Sequence, residues 1–127
     1  MQYTAKLIEL NPVIEEEAVL EINEQRLVTF INYCPFEIIQ GGHYKVELEL
    51  AILDDFVISK SNSEEKGIEQ IGDSFSYFIK GTLNIDKGTI DAGILFEIDS
   101  EFLFDHGYLH EENVRIRVDR LSVDFIG

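Results

Sequence analysis

Across residues 75–98, apolar and polar side chains alternate almost without fault, twice in succession. Phe75, Tyr77, Ile79, Leu83 and Ile85 share one parity. Ser76, Lys80, Thr82, Asn84 and Asp86 share the other, and only Phe78 is out of place. After Asp86-Lys87-Gly88 the pattern resumes, with Ile90, Ala92, Ile94, Phe96 and Ile98 against Thr89, Asp91, Gly93 and Glu97. A period of two places all the apolar residues of a strand on one face. Two such runs around a short Asp/Gly turn predict a β-hairpin in which residues 75–86 pair antiparallel with residues 89–98.

The rest of the chain reads as strands of the same kind. Residues 3–10 alternate loosely and stop at Asn11-Pro12, because proline cannot donate to a ladder. Residues 18–22 suit a strand, although Ile14, Ala18 and Ile22 would also share one face of a short helix, and a tight turn is expected at Glu24-Gln25 before the β-branched run from Leu27 to Tyr33. A short edge segment is expected over 36–39, and Gly41-Gly42 marks a break. In residues 43–53, Tyr44, Val46, Leu48, Leu50 and Ile52 point one way, while Lys45, Glu47 and Glu49 point the other. Residues 59–72 are polar and loop-like. Phe102-Leu103-Phe104, in the long connection before the last strand, suits a short helical turn that plugs one end of a barrel.

The last strand has Val114, Ile116 and Val118 on even positions, then Leu121, Val123 and Phe125 on odd ones. A one-residue slip of parity predicts a bulge near Asp119-Arg120. Bulged long strands are how sheets curl. The expected fold is therefore all-β: one domain over residues 1–127, a small, antiparallel, strongly curved sheet or barrel of six to eight strands. An OB-like barrel shape fits the strand count, and a two-sheet sandwich is the alternative. Leu48, Leu50, Ile79, Leu83, Ile94, Phe96, Ile116 and Val118 are expected in a single core.

Charge bears on function more than any motif does. Ten Lys and Arg face 25 Asp and Glu, a net −15. Such a field repels phosphates and anionic lipid and attracts basic partners, so nucleic acid and membrane are not expected as partners. Cys34 is the sole cysteine, which excludes an internal disulfide and favours a reducing compartment. No signal peptide is expected from residues 1–6, and no apolar run approaches the ~18 residues of a membrane span. The expected location is the cytoplasm.

Candidate chemistry is sparse. His106 and His110 stand four apart beside Asp105, Glu111 and Glu112, a spacing that can share a metal on a helix, but Gly107 interrupts it. His43 at a strand start could serve as a general base, and Cys34 as a nucleophile beside a histidine. Each is as well explained as an ordinary surface or packing residue. Gly41-Gly42 lacks the lysine of a phosphate loop, and Asn84–Gly88 lacks the glycine and closing glutamate of an EF-hand. Arg115, Arg117 and Arg120 with Tyr77 or Phe78 would make an oligonucleotide platform, unless they pair across strands with acids such as Glu97 or Glu47.

No catalytic residue, cofactor or metal is assigned from these features. The reading they favour is a non-enzymatic module that engages a basic protein partner through an acidic surface, such as an immunity protein that neutralises a nuclease toxin. Glu47, Glu49, Asp54 and Asp55 are its expected contact residues. The alternatives are a small barrel binding nucleic acid or a small ligand, and a metal-dependent enzyme using the His106/His110 loop.

Overall fold

A computed structural model describes residues 2–53 and 55–127, and Asp54 lies outside the described residues. The fold is all-β, with 54% of residues in strands and 6% in helices. Five strands close a barrel: β1 (Gln2–Leu10), β2 (Glu17–Ile22), β3 (Gln25–Tyr33), β4 (His43–Ala51) and β11 (Arg120–Phe125), in the order β1-β2-β3-β11-β4. All neighbours in it are antiparallel except β3 and β11, which run parallel through Ser122↔Phe30 and Val123↔Ile31. A five-strand barrel is the size of an OB-type one.

The six other strands form a second sheet. β5 (Val57–Lys60), β10 (Asn113–Val118), β7 (Tyr77–Asn84), β8 (Thr89–Asp91) and β9 (Leu95–Glu97) lie side by side in that order, and β6 (Gly67–Gln70) also pairs with β7. The fold therefore combines a closed barrel with a second sheet, and it is neither one continuous sheet nor purely antiparallel.

The expected hairpin forms only in part. Thr82, Leu83 and Asn84 pair with Asp91, Ile90 and Thr89, as the alternation predicts. The second run then folds back on itself: β9 pairs with β8 through Ile90↔Phe96. Gly93 makes the fold possible, at φ 93°, where an L side chain is rarely found. The Asp91 carboxylate accepts the Gly93 N–H at 3.1 Å and fixes the turn. Parity survives the reversal, so Ile90, Ala92, Ile94, Phe96 and Ile98 are all buried. The sequence pattern thus reported the buried face correctly but could not show that the strand was broken.

Other boundaries move for similar local reasons. The turn between β2 and β3 is at Asn23-Glu24, both with positive φ, and Ile22 pairs with Gln25. That is the two-residue geometry that matches strand twist. Residues 36–39 form no strand; the Ile39 N–H donates to the Tyr44 hydroxyl in a loop.

The parity slip at Asp119 marks a change of sheet. β10 pairs with β5 and β7 in the second sheet, and β11 pairs with β4 and β3 in the barrel. Asp119 anchors the crossing. Its N–H donates to Ala51 O at 2.9 Å, its Oδ2 accepts the Leu53 N–H at 2.6 Å, and its carbonyl accepts the Ser76 hydroxyl at 3.0 Å.

One apolar cluster runs through both sheets and contains all eight residues expected in the core. α1 (Ser100–Leu103) and a 3-10 turn (Gly107–Leu109) add Leu103 and Leu109 to it. Two tyrosines join the sheets by hydrogen bonds. Tyr3 of the barrel donates to Leu95 O of β9, and Tyr77 of the second sheet accepts the Val28 N–H of β3 at 2.8 Å. Burial raises the pKa of both phenols.

Candidate functional site: a carboxylate groove

The outward face of β4 presents Glu47 and Glu49, because Val46, Leu48 and Leu50 turn inward. On the neighbouring β11, Asp124 sits directly opposite Glu47, and Ser122 opposite Glu49. From the second sheet, Glu97 at the end of β9 and Asp99 at the start of α1 close over the same surface. The five carboxylates Glu47, Glu49, Glu97, Asp99 and Asp124, with Leu48 and Ile98, line a groove of about 300 Å³. It adjoins a second hollow of about 360 Å³, which shares Glu49, Glu97 and Asp99 and adds Asn32, Ile52, Leu53, Phe102, Arg120 and Ser122.

Four of the charges in this groove are little neutralised. Among the described residues, no lysine or arginine lies within ion-pair distance of Glu47, Glu49, Asp99 or Asp124. Asp124 accepts from the Asn32 side-chain amide at 3.1 Å, and Asp99 accepts the Glu101 N–H at 3.0 Å as the cap of α1. The nearest cation in the lining is Arg120, whose guanidinium lies over the Phe30 ring at 4.0 Å. Its Nε is buried without a hydrogen-bond partner. Like charges directly opposite on adjacent strands are destabilising, so Glu47 and Asp124 work against the fold where they stand. A groove of this kind favours a cation or a positively charged side chain and disfavours an anion.

Of the contact residues expected from the sequence, Glu47 and Glu49 line the groove. Asp55 is exposed in the loop after β4 and is not part of the lining, and Asp54 lies outside the described residues. Glu97, Asp99 and Asp124 were missed. Their outward parity was readable, but the pairing of β11 with β4 and the fold-back at Gly93 bring them together, and neither has a local signature.

The reactive residues of the sequence go to separate partners. His43 is exposed at the start of β4, opposite Lys6. His106 packs its ring between Phe56 and Tyr108, at 5.6 and 6.2 Å between centroids, and its Nδ1 is buried without a partner. His110 Nδ1 accepts the Ile85 N–H at 3.0 Å, while Nε2 faces Asp86 at 3.6 Å and Glu111 at 3.7 Å. Cys34 is half-buried, with Sγ 3.1 Å from Phe36 O. Among the described residues, no three His, Cys, Asp or Glu side chains are grouped so as to hold a metal ion. No helix among them is long and apolar enough to cross a membrane.

Residues 1–126 match the family described as uncharacterised conserved protein UCP019853, and the chain belongs to that family. It is also similar to an endoribonuclease YbeY of Wolinella succinogenes, 34% identical over 76 residues. That match covers 50% of this chain and 54% of the relative, so the chain spans about half the length of the curated relative. No solved structure matches.

Proposed function

We propose that this protein is a non-enzymatic cytoplasmic binding module that receives a basic segment of a protein partner in the carboxylate groove and inhibits that partner. A nuclease toxin, whose active cleft is itself basic, is the kind of partner meant. The observation that carries the reading is the convergence of Glu47, Glu49, Glu97, Asp99 and Asp124 from both sheets on one groove. Acids kept only for solubility have no reason to face one another. Facing acids raise the folding cost and lower the cost of binding a cation, as sites that trade stability for function do.

An enzyme reading would follow the name of the endoribonuclease relative. His106 and His110 do not support it, since one is packed among aromatic rings and the other turns to the Asp86 turn.

Co-purification from the native cell, followed by association kinetics, tests the proposal. Electrostatic steering should make the on-rate fall steeply with salt while the off-rate changes little. Glu47→Lys with Glu49→Lys should cut the on-rate and leave the circular dichroism spectrum unchanged. Recovery of a small metabolite as the only companion, or an on-rate indifferent to the double substitution, would overturn it.

A further inference from the structure

The outward face of the second sheet carries the opposite charge pattern. Val114, Ile116 and Val118 of β10 point into the core, so Asn113, Arg115 and Arg117 point out. Arg115 stands directly opposite Lys80 on β7 and Ser59 on β5. Arg117 stands opposite Phe78 and Val57, and Asn113 opposite Thr82. The pairing of these arginines with Glu97 or Glu47 that the sequence allowed does not occur; their cross-strand neighbours are these residues instead.

Two features of this face are unusual. Arg115 and Lys80 are like charges on facing positions, which costs stability. Among the described residues neither lies within ion-pair distance of a carboxylate, although other cations on or beside the sheet have one: Lys60 with Glu112, Lys66 with Asp91, Arg117 with Asp119. In addition, the Arg115 guanidinium lies 3.7 Å from the centroid of the Phe78 ring. Its outer plane is therefore a flat cationic surface at stacking distance from an aromatic.

We propose that this face binds a short single strand of nucleic acid. Lys80 and Arg115 take two backbone phosphates, and the Arg115–Phe78 stack receives a base, as guanidinium planes and aromatic rings do in single-strand binders. Asn113 and Thr82, 3.2 Å apart, supply an amide and a hydroxyl beside the stack. The net −15 argues against nucleic acid for the molecule as a whole. Locally, however, no carboxylate among the described residues lies within ion-pair distance of either cation. The flanking acids Glu69 and Asp91 bound the stripe, so the bound strand is only a few nucleotides long. An acidic peptide satisfies the cations but makes no use of the stack.

Fluorescence anisotropy of labelled oligouridylate and of the matching DNA strand tests this. Two phosphate contacts on a single strand give a salt slope of about −1.4, so a fourfold rise in salt should weaken binding about sevenfold. Lys80→Gln with Arg115→Gln should flatten the slope and abolish binding while leaving the circular dichroism spectrum unchanged. Phe78→Leu should weaken binding about tenfold with the slope retained. No binding of either strand at low salt, affinity unchanged in the double variant, or displacement by oligoglutamate as effective as by unlabelled oligonucleotide would overturn the proposal.

Discussion

Glu47 and Asp124 face each other across β4 and β11 in the barrel, and Arg115 and Lys80 face each other across β10 and β7 in the second sheet. Both pairs repel, yet their surroundings differ. The acids sit in a groove with three further carboxylates, partly covered by β9 and α1. The cations lie on an open face beside an aromatic ring. One is shaped to enclose a positively charged segment, the other to take a flat group laid on it. The net −15 is therefore not a uniform field, and a summed charge is a poor guide to what each face meets. The comparison also separates folding from binding: the repulsion within each pair opposes the first, although Asp124 accepts from Asn32 and Arg115 stacks on Phe78.

The contrast belongs to one molecule only if the two sheets form one folding unit, and the largest expected effects test that. Leu20 is fully buried in the barrel and Ile79 in the second sheet, and both belong to one apolar cluster. Leu20→Ala and Ile79→Ala should each lower stability by about 2–5 kcal/mol. Urea unfolding of both variants should remain a single transition by circular dichroism and tyrosine fluorescence. Two separated transitions would make the sheets independent and break the comparison.

The seam between the sheets comes next. Tyr77→Phe removes the acceptor of the Val28 N–H and leaves that donor unpaired at the barrel wall, which should cost about 1–3 kcal/mol. The same phenol has a pH signature. Burial raises its pKa, against a smaller lowering by the Val28 hydrogen bond, so its stabilisation is complete below the unfolded value near 10 and is lost as pH rises through the folded value. Tyr3, whose pKa burial also raises, acts in the same direction. Thermal melts stepped upward from neutral pH should show stability falling above about pH 10, less steeply in Tyr77→Phe. An unchanged alkaline limb would remove Tyr77 from the seam.

How much of this was legible follows from which forces are local. Side-chain parity is local, and it reported the buried face of nearly every strand, including the slip at Asp119. It could not report the fold-back at Gly93, since a three-residue turn pairs positions an even number apart, such as Asp91 and Leu95, and leaves parity intact. Gly81 was equally silent. It has no side chain because a Cβ there would run into the Asp91 carbonyl oxygen of the neighbouring β8, a contact created by strand pairing. Closure of the barrel by the parallel β3–β11 pair joins residues about ninety positions apart and has no local mark. Two of the five groove carboxylates, Glu47 and Glu49, were therefore visible through their outward parity, and the other three waited on the pairing of β11 with β4 and the fold-back at Gly93.

Neutralising each repelling pair measures the comparison itself. Glu47→Gln and Lys80→Gln should each raise stability, by about 0.2–1 kcal/mol, with the gain larger at low salt because both sites are open to screening. The two should add, since they lie in different sheets and share no partner. Chemical denaturation at two salt concentrations checks this. A loss of stability in either variant would mean that the charge has an internal partner and is not held for an external one.

Lys66 provides the control, because it is a cation beside the same sheet that does have a partner. Its ammonium meets Asp91 at 2.8 Å, and that hydrogen bond first, then the Gly93 N–H, holds the Asp91 carboxyl below the ordinary aspartate value of 3.8. A depressed carboxyl stabilises the fold above its unfolded pKa, and the contribution is lost as pH falls through the folded value. The carboxylate side chain is 49% exposed, so the ion pair is screened and contributes only about 0.2–1 kcal/mol. Asp91→Asn keeps an acceptor for Gly93 and removes only the charge. It should cost a few tenths of a kcal/mol at neutral pH and nothing relative to the wild type well below about pH 3.9. Lys66→Gln should reproduce that loss, whereas Lys80→Gln should show the opposite sign at the same pH. Urea midpoints for the three variants at neutral and acid pH decide it. Equal signs for Lys66 and Lys80 would mean that pairing within the sheet does not separate the cations that serve the fold from those left for a ligand.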